Sequence, residues 1–158
     1  DRFEEAAALV EKAIEANGDD YNVYIPYRII LERLGRRGDA LKVRERQTRA
    51  LEQQLELVPE DARARVLLAV GYAYLGRQQE AIPQLEKAVS LRPNDGNTLY
   101  NAACAYGIME MKAEALDMLI RARKVGYANF DWVKRDPDLK CLHGNPEFQK
   151  LVQPDNPN

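Results

Sequence analysis

The stretch SLRPNDGNTLYNAACAYG, residues 90–107, decides the fold. A helix ends at LRP, the chain turns through NDG, and small residues then alternate with Leu99, Tyr100 and Tyr106. Such a stretch is either an isolated helix-turn-helix or the seam between two copies of one unit. Sliding the chain along itself separates the two readings. At a shift of 34 residues, Arg65, Leu68, Ala69, Tyr72, Ala81, Leu85 and Ala88 fall on Leu99, Ala102, Ala103, Tyr106, Ala115, Leu119 and Ala122. Apolar character is kept at every place but the first. Pro59 and Pro93 stand at the same shift, so residues 90–107 are a seam.

Each unit reads as two antiparallel helices. Gly76 stops the first, and Ala81, Leu85 and Ala88 form one stripe of the second at spacings of four and three. Pro93 blocks its continuation. Pro83 is expected in the first turn of that second helix, where a missing N–H costs little. The preceding unit has its turn at Gly35 to Gly38 and runs 19 residues from Ala40 to Pro59, against 12 from Ala81 to Pro93. The extra seven residues predict a second helix longer by two turns. Upstream, Ala6, Val10 and Ala13 repeat the stripe of a second helix with no first, which suggests a fragment of a longer parent. The expected organisation is therefore a truncated repeat at 1–20, a long repeat at 21–61, repeats at 62–95 and 96–127, a cap at 128–152 and a disordered tail at 153–158. In the cap, Trp132, Leu139, Leu142, Phe148 and Leu151 should cover the open flank of the last repeat, with Trp132 largely buried.

These units resemble the tetratricopeptide repeat family. Leu68, Ala69, Tyr72, Ala81, Leu85 and Pro93 fit its pattern, as do Ala102, Ala103, Tyr106, Ala115 and Leu119. Arg65 stands where Trp is usual, and the third unit has Tyr127 where Pro is usual. The resemblance implies an all-α right-handed superhelix. The tail, from Asn101 to Val152, is also similar to the C-terminal arrays of bacterial multidomain proteins with adenylate cyclase, serine/threonine kinase or TolB-like modules.

The function classes narrow by inventory. The chain has 158 residues, 46% hydrophobic and 30% charged, with a net charge of −2, so no global pull towards nucleic acid or anionic membrane is expected. The uncharged run VLLAVGYAYLG at 66–76 has 11 residues, well short of the roughly 20 needed to cross a bilayer. Two cysteines, Cys104 and Cys141, make no disulfide framework, and a reducing, cytoplasmic location is expected. Arg28, Arg33, Arg36, Arg37, Lys42, Arg44, Arg46 and Arg49 concentrate basic charge at 28–49 and read as a solvated helix face. Ser90 and His143 stand far apart, which gives a serine triad no support. Cys141-Leu142-His143 lacks a second ligand pair for a metal, and Gly35 to Ala40 lacks the Lys-Ser/Thr of a phosphate loop. Glu110, Glu114, Asp136 and Asp138 read as solvated carboxylates. No catalytic residue, cofactor or metal is expected.

Binding is the class that remains. In a stack of helix pairs the first helices line a concave wall, which here should present Asn22, Ile25 and Ile29, then Arg63, Val66, Val70 and Tyr74, then Asn97, Tyr100, Asn101 and Cys104. This mostly apolar wall, with Asn side chains able to pair with a peptide backbone, suits a protein or peptide partner. Relatives that clamp the terminal carboxylate of chaperones use Lys, Arg and Asn where this chain has Ile25, Ile29, Val66 and Leu67, so that ligand does not fit. The competing reading is a regulatory or homodimerisation element whose groove is filled by the parent chain or a second copy.

Overall fold

The computed structural model describes residues 2–17 and 20–153. The described chain is all helical: α1 (Arg2–Asn17), a 3₁₀ turn (Tyr21–Val23), α2 (Tyr24–Arg33), α3 (Arg37–Leu57), α4 (Ala62–Tyr74), α5 (Gln78–Leu91), α6 (Gly96–Ile108) and α7 (Lys112–Lys124). A short α8 (Phe130–Val133), a 3₁₀ segment (Pro137–Leu142) and α9 (Pro146–Leu151) follow. The residues 154–158 of the expected disordered tail lie outside the described residues.

Local chemistry sets the helix ends. Asp61 and Asp95 accept from the backbone N–H groups of Ala64 at 2.9 Å and Thr98 at 2.7 Å, which satisfies donors that the first turns of α4 and α6 leave open. At the inner turns the backbone must become left-handed, and Gly35 and Gly76 do so with φ of 72° and 73°. The equivalent place between α6 and α7 is Glu110, with φ of 60°. Pro83 is not in the first turn of its helix: α5 starts at Gln78, and Pro83 lies within it. Pro83 and Gln79 are both exposed, so water reaches the carbonyl that lost its helical donor.

Helices α4 and α5 pair, as do α6 and α7, and α4 packs on α6 so that the first helices lie side by side. Ala69, Ala81, Leu85 and Ala88 are fully buried, as are Ala102, Ala103, Ala115, Leu119 and Ala122. Small side chains on facing stripes let the axes approach, and Leu85 and Leu119 fill the space beside them. Helix α3 runs 21 residues, and its end exposes Leu57 and Val58.

Beyond α7 the chain folds back on α6. The segment Pro137–Leu142 packs against α6 and more lightly against α7, taking the place that a further first helix would occupy. Gly107 permits this, because a Cβ there would overlap the carbonyl oxygen of Asp138. Val133, Leu139, Leu142 and Phe148 are fully buried, and Phe130 nearly so. Trp132 departs from expectation, being 44% exposed. In a helix as short as α8, Phe130 and Val133 share the inward face at a spacing of three, which turns Trp132 away. Among the described residues no helix is long and apolar enough to cross a membrane.

Candidate partner-binding groove

Residues of α2, α4 and α6 line one groove of about 1320 Å³, larger than the roughly 300–1,000 Å³ of small-molecule pockets. Ile25 and Ile29 line it from α2, Arg63, Val66, Val70 and Tyr74 from α4, and Asn97, Tyr100, Asn101 and Cys104 from α6. These are the wall residues that helical spacing brings to one face. Asn22 does not line the groove; its Oδ1 accepts from Arg63 Nη2 at 3.0 Å. Val66 and Cys104 belong to the floor, only 2% and 4% exposed, and shape the groove while offering little surface. Asn97 is exposed, and Asn101 Nδ2 donates to the Asn97 carbonyl at 2.8 Å, which leaves the Asn101 side-chain oxygen available.

The groove is less apolar than the first helices alone suggest. At one end the cap contributes Trp132, Asp136 and Asp138. Asp136 is 3% exposed and is not a solvated loop residue. Its Oδ2 accepts from the Tyr100 hydroxyl, from Trp132 Nε1 at 3.0 Å and from the Cys104 thiol at 3.6 Å. Its Oδ1 accepts from the backbone N–H of Asp138 at 3.0 Å and so caps the 3₁₀ segment. Asp138 in turn accepts from the Tyr74 hydroxyl. Burial raises the Asp138 carboxyl above its ordinary value, and the Tyr74 hydrogen bond opposes this. Burial likewise raises Tyr74, Tyr100 and Cys104, with the neighbouring aspartates adding to the shift. Tyr100 also stacks on Tyr127, ring centroids 4.9 Å apart. Both groove tyrosines therefore have their hydroxyls held by the cap.

Cys104, Asp136 and Asp138 also bring one potential metal-ligand atom each to within 4.8 Å of one another. Hydrogen bonds from Tyr74, Tyr100 and Trp132 already engage these carboxylates, which favours a structural role for the cluster. Cys141 and His143 are not part of it.

Arg44 is not on a solvated face: it is 4% exposed and lines the groove together with Arg28 and Glu32. Ala40, Val43, Arg44, Gln47, Thr48 and Leu51 make one buried stripe on α3 at spacings of three and four, and that stripe is the signal that would have found Arg44. Arg36, Lys42 and Arg46 stay on the outside, paired with Asp39 or Glu11.

Residues 62–95 match the tetratricopeptide repeat family. Among curated proteins, the chain is similar to a chloroplastic protein of Arabidopsis thaliana, with 30% identity over 81 residues, 49% of this chain. It spans about a quarter of that relative's length, 24%. Among solved structures it is similar to a MamA fragment from Desulfovibrio magneticus RS-1, with a TM-score of 0.50, 20% identity and 95% of this chain and 84% of that one covered. It is also similar to YrrB, described as a TPR protein with an unusual peptide-binding site, with a TM-score of 0.43, 22% identity and 90% and 82% covered. The fold is thus an all-α helical-repeat superhelix, with a tetratricopeptide repeat at its centre.

Proposed function

We propose that this protein is a non-catalytic interaction scaffold that holds an extended segment of a partner protein in its concave groove. The observation that carries this reading is the groove itself: about 1320 Å³, with Ile25, Ile29 and Val70 for side chains and Asn97 and Asn101 for a peptide backbone. In the same reading the repeats are 21–61, 62–95 and 96–127, with 1–20 the second helix of a further unit and 128–152 a cap. Binding surface is contributed by Ile25, Ile29, Arg63, Val70, Tyr74, Asn97, Tyr100 and Asn101, with Trp132 added from the cap. Val66 and Cys104 shape the floor, and Asn22 supports Arg63.

Nucleic acid is not part of the proposal. Of the basic residues at 28–49, Arg28, Arg36, Lys42 and Arg46 are paired with carboxylates and Arg44 is buried, which breaks up any continuous phosphate-binding face. Both cysteines are free thiols, compatible with a cytoplasmic location. The likeness of the tail to bacterial signalling arrays extends the proposal to an interaction segment of a larger bacterial signalling protein.

Peptides selected against the chain by display provide the test. Asn101→Ala and Val70→Arg should each weaken a selected peptide tenfold or more, and Ile120→Arg on the outer surface should not. Equal binding by all three variants would remove the groove as the site. Light scattering of the free chain addresses the alternative occupant: a dimer that Val70→Arg converts to monomer would mean that a second copy fills the groove.

A further inference from the structure

Two guanidinium groups meet at the α2–α3 end of the groove with more donors than acceptors. Arg44 stacks its face on the Tyr74 ring, its guanidinium carbon 3.5 Å from the centroid. Stacking uses the face of the group and leaves the N–H edges to find acceptors. Arg44 carries five such donors. Its one side-chain hydrogen bond among the described residues is long, from Nη2 to Glu32 Oε1 at 3.5 Å. Arg28 donates from Nη1 to the same oxygen at 2.8 Å, and its Nε is buried without a hydrogen-bond partner among the described residues. One carboxylate oxygen thus serves two guanidiniums. Burial, with the charge of Arg28 acting in the same direction, pulls Arg44 down to about 10. Unmet donors on a desolvated cation favour an incoming anion, because charge-assisted hydrogen bonds are the strong ones.

We propose that the groove anchors its partner by an aspartate or glutamate side chain, whose carboxylate sits against the edges of Arg28 and Arg44 beside Tyr74. The proposal rests on the groove reading above and names the chemistry of the segment it takes. A singly charged group fits better than a phosphate. Glu32 and Asp138 already face the two arginines, and a dianion would meet both at close range. The site also differs from a clamp for a chain-terminal carboxylate: one cation comes from a second helix, α3, and the first-helix neighbours of Arg28 are Ile25 and Ile29.

The test uses three pools of N-acetylated, C-amidated nonapeptides with randomised apolar flanks and a central Glu, Gln or phosphoserine, so that no terminal carboxylate is present. By fluorescence anisotropy the Glu pool should bind at least tenfold tighter than the Gln pool. Arg44→Gln should erase that difference. Arg28→Gln, at a less buried position, should do the same and serves as the second variant should Arg44→Gln melt early. Equal binding of the Glu and Gln pools, both weakened by Asn101→Ala, would overturn the acidic anchor and leave the groove reading standing. No binding by any pool would remove both. A phosphoserine pool that bound tenfold tighter than the Glu pool would overturn the carboxylate assignment in favour of phosphate.

Discussion

The indole N–H of Trp132 donates to the Tyr100 hydroxyl at 2.7 Å, so an exposed ring of the cap is fixed to the last first-helix of the groove. The second contact of the same N–H, to Asp136, makes the tether a fork. Loss of a buried Trp costs about 3–5 kcal/mol, whereas a polar tether with a half-exposed ring should cost only about 1–2 kcal/mol. We expect Trp132→Ala to cost the smaller amount in chemical denaturation and to weaken partner binding. Native fluorescence should show a partly solvated maximum that moves to the blue when a peptide fills the groove. An emission maximum that stays put on binding would place the ring outside the contact.

Glu110 holds the left-handed turn that Gly76 holds one repeat earlier. For a residue with a Cβ that conformation costs about 1–2 kcal/mol, partly offset by the entropy that glycine loses on folding. Glu110→Gly should therefore raise stability by about 0.5–1 kcal/mol, and Gly76→Ala should lower it by about 1–2 kcal/mol. Paired urea titrations would check both; a destabilised Glu110→Gly protein would contradict the strain.

At Gly107 the cap backbone lies against α6 so closely that a methyl group has no room. Gly107→Ala should cost about 1–3 kcal/mol, as overpacking does. The loss should be local. Amide exchange should quicken at residues 134–142 and leave α4 and α5 protected; unchanged exchange there would mean that the cap docks by other contacts.

The helix pairs from Ala62 to Lys124 are legible in the sequence because their signals are local: a 34-residue period and alanine stripes at helical spacing. Apart from Asn22, the residues that line the groove from the first helices are legible for the same reason, since helical spacing fixes which side chains share a face. Trp132, Asp136 and Asp138 are not. Their places depend on the tail folding back, through hydrogen bonds that join residues 36 and 64 positions apart in Tyr100–Asp136 and Tyr74–Asp138. Arg44 escapes a reading by charge because its place is set by the buried stripe on which it sits, where stacking on Tyr74 shelters the guanidinium.

Asp95 gives a pH signature. The N–H and hydroxyl of Thr98 hold its carboxyl below the ordinary 3.8. A lowered folded value means that the cap contributes fully above the unfolded value and is lost as pH falls through the folded one. Asp95→Ala should cost about 1 kcal/mol at pH 7. The difference from wild type should shrink as pH drops below 3.8. A difference that is constant down to about pH 2 would show that the charge plays no part.

Backbone amide shifts of the labelled protein, followed as a display-selected peptide is added, bear most directly on the groove. We expect the largest changes at residues 63–74 and 97–104 and around Arg28 and Arg44, with the outward faces of α5 and α7 nearly silent. Changes concentrated on α5 and α7, with Val70 and Asn101 unmoved, would put the partner on the convex surface and contradict the concave site.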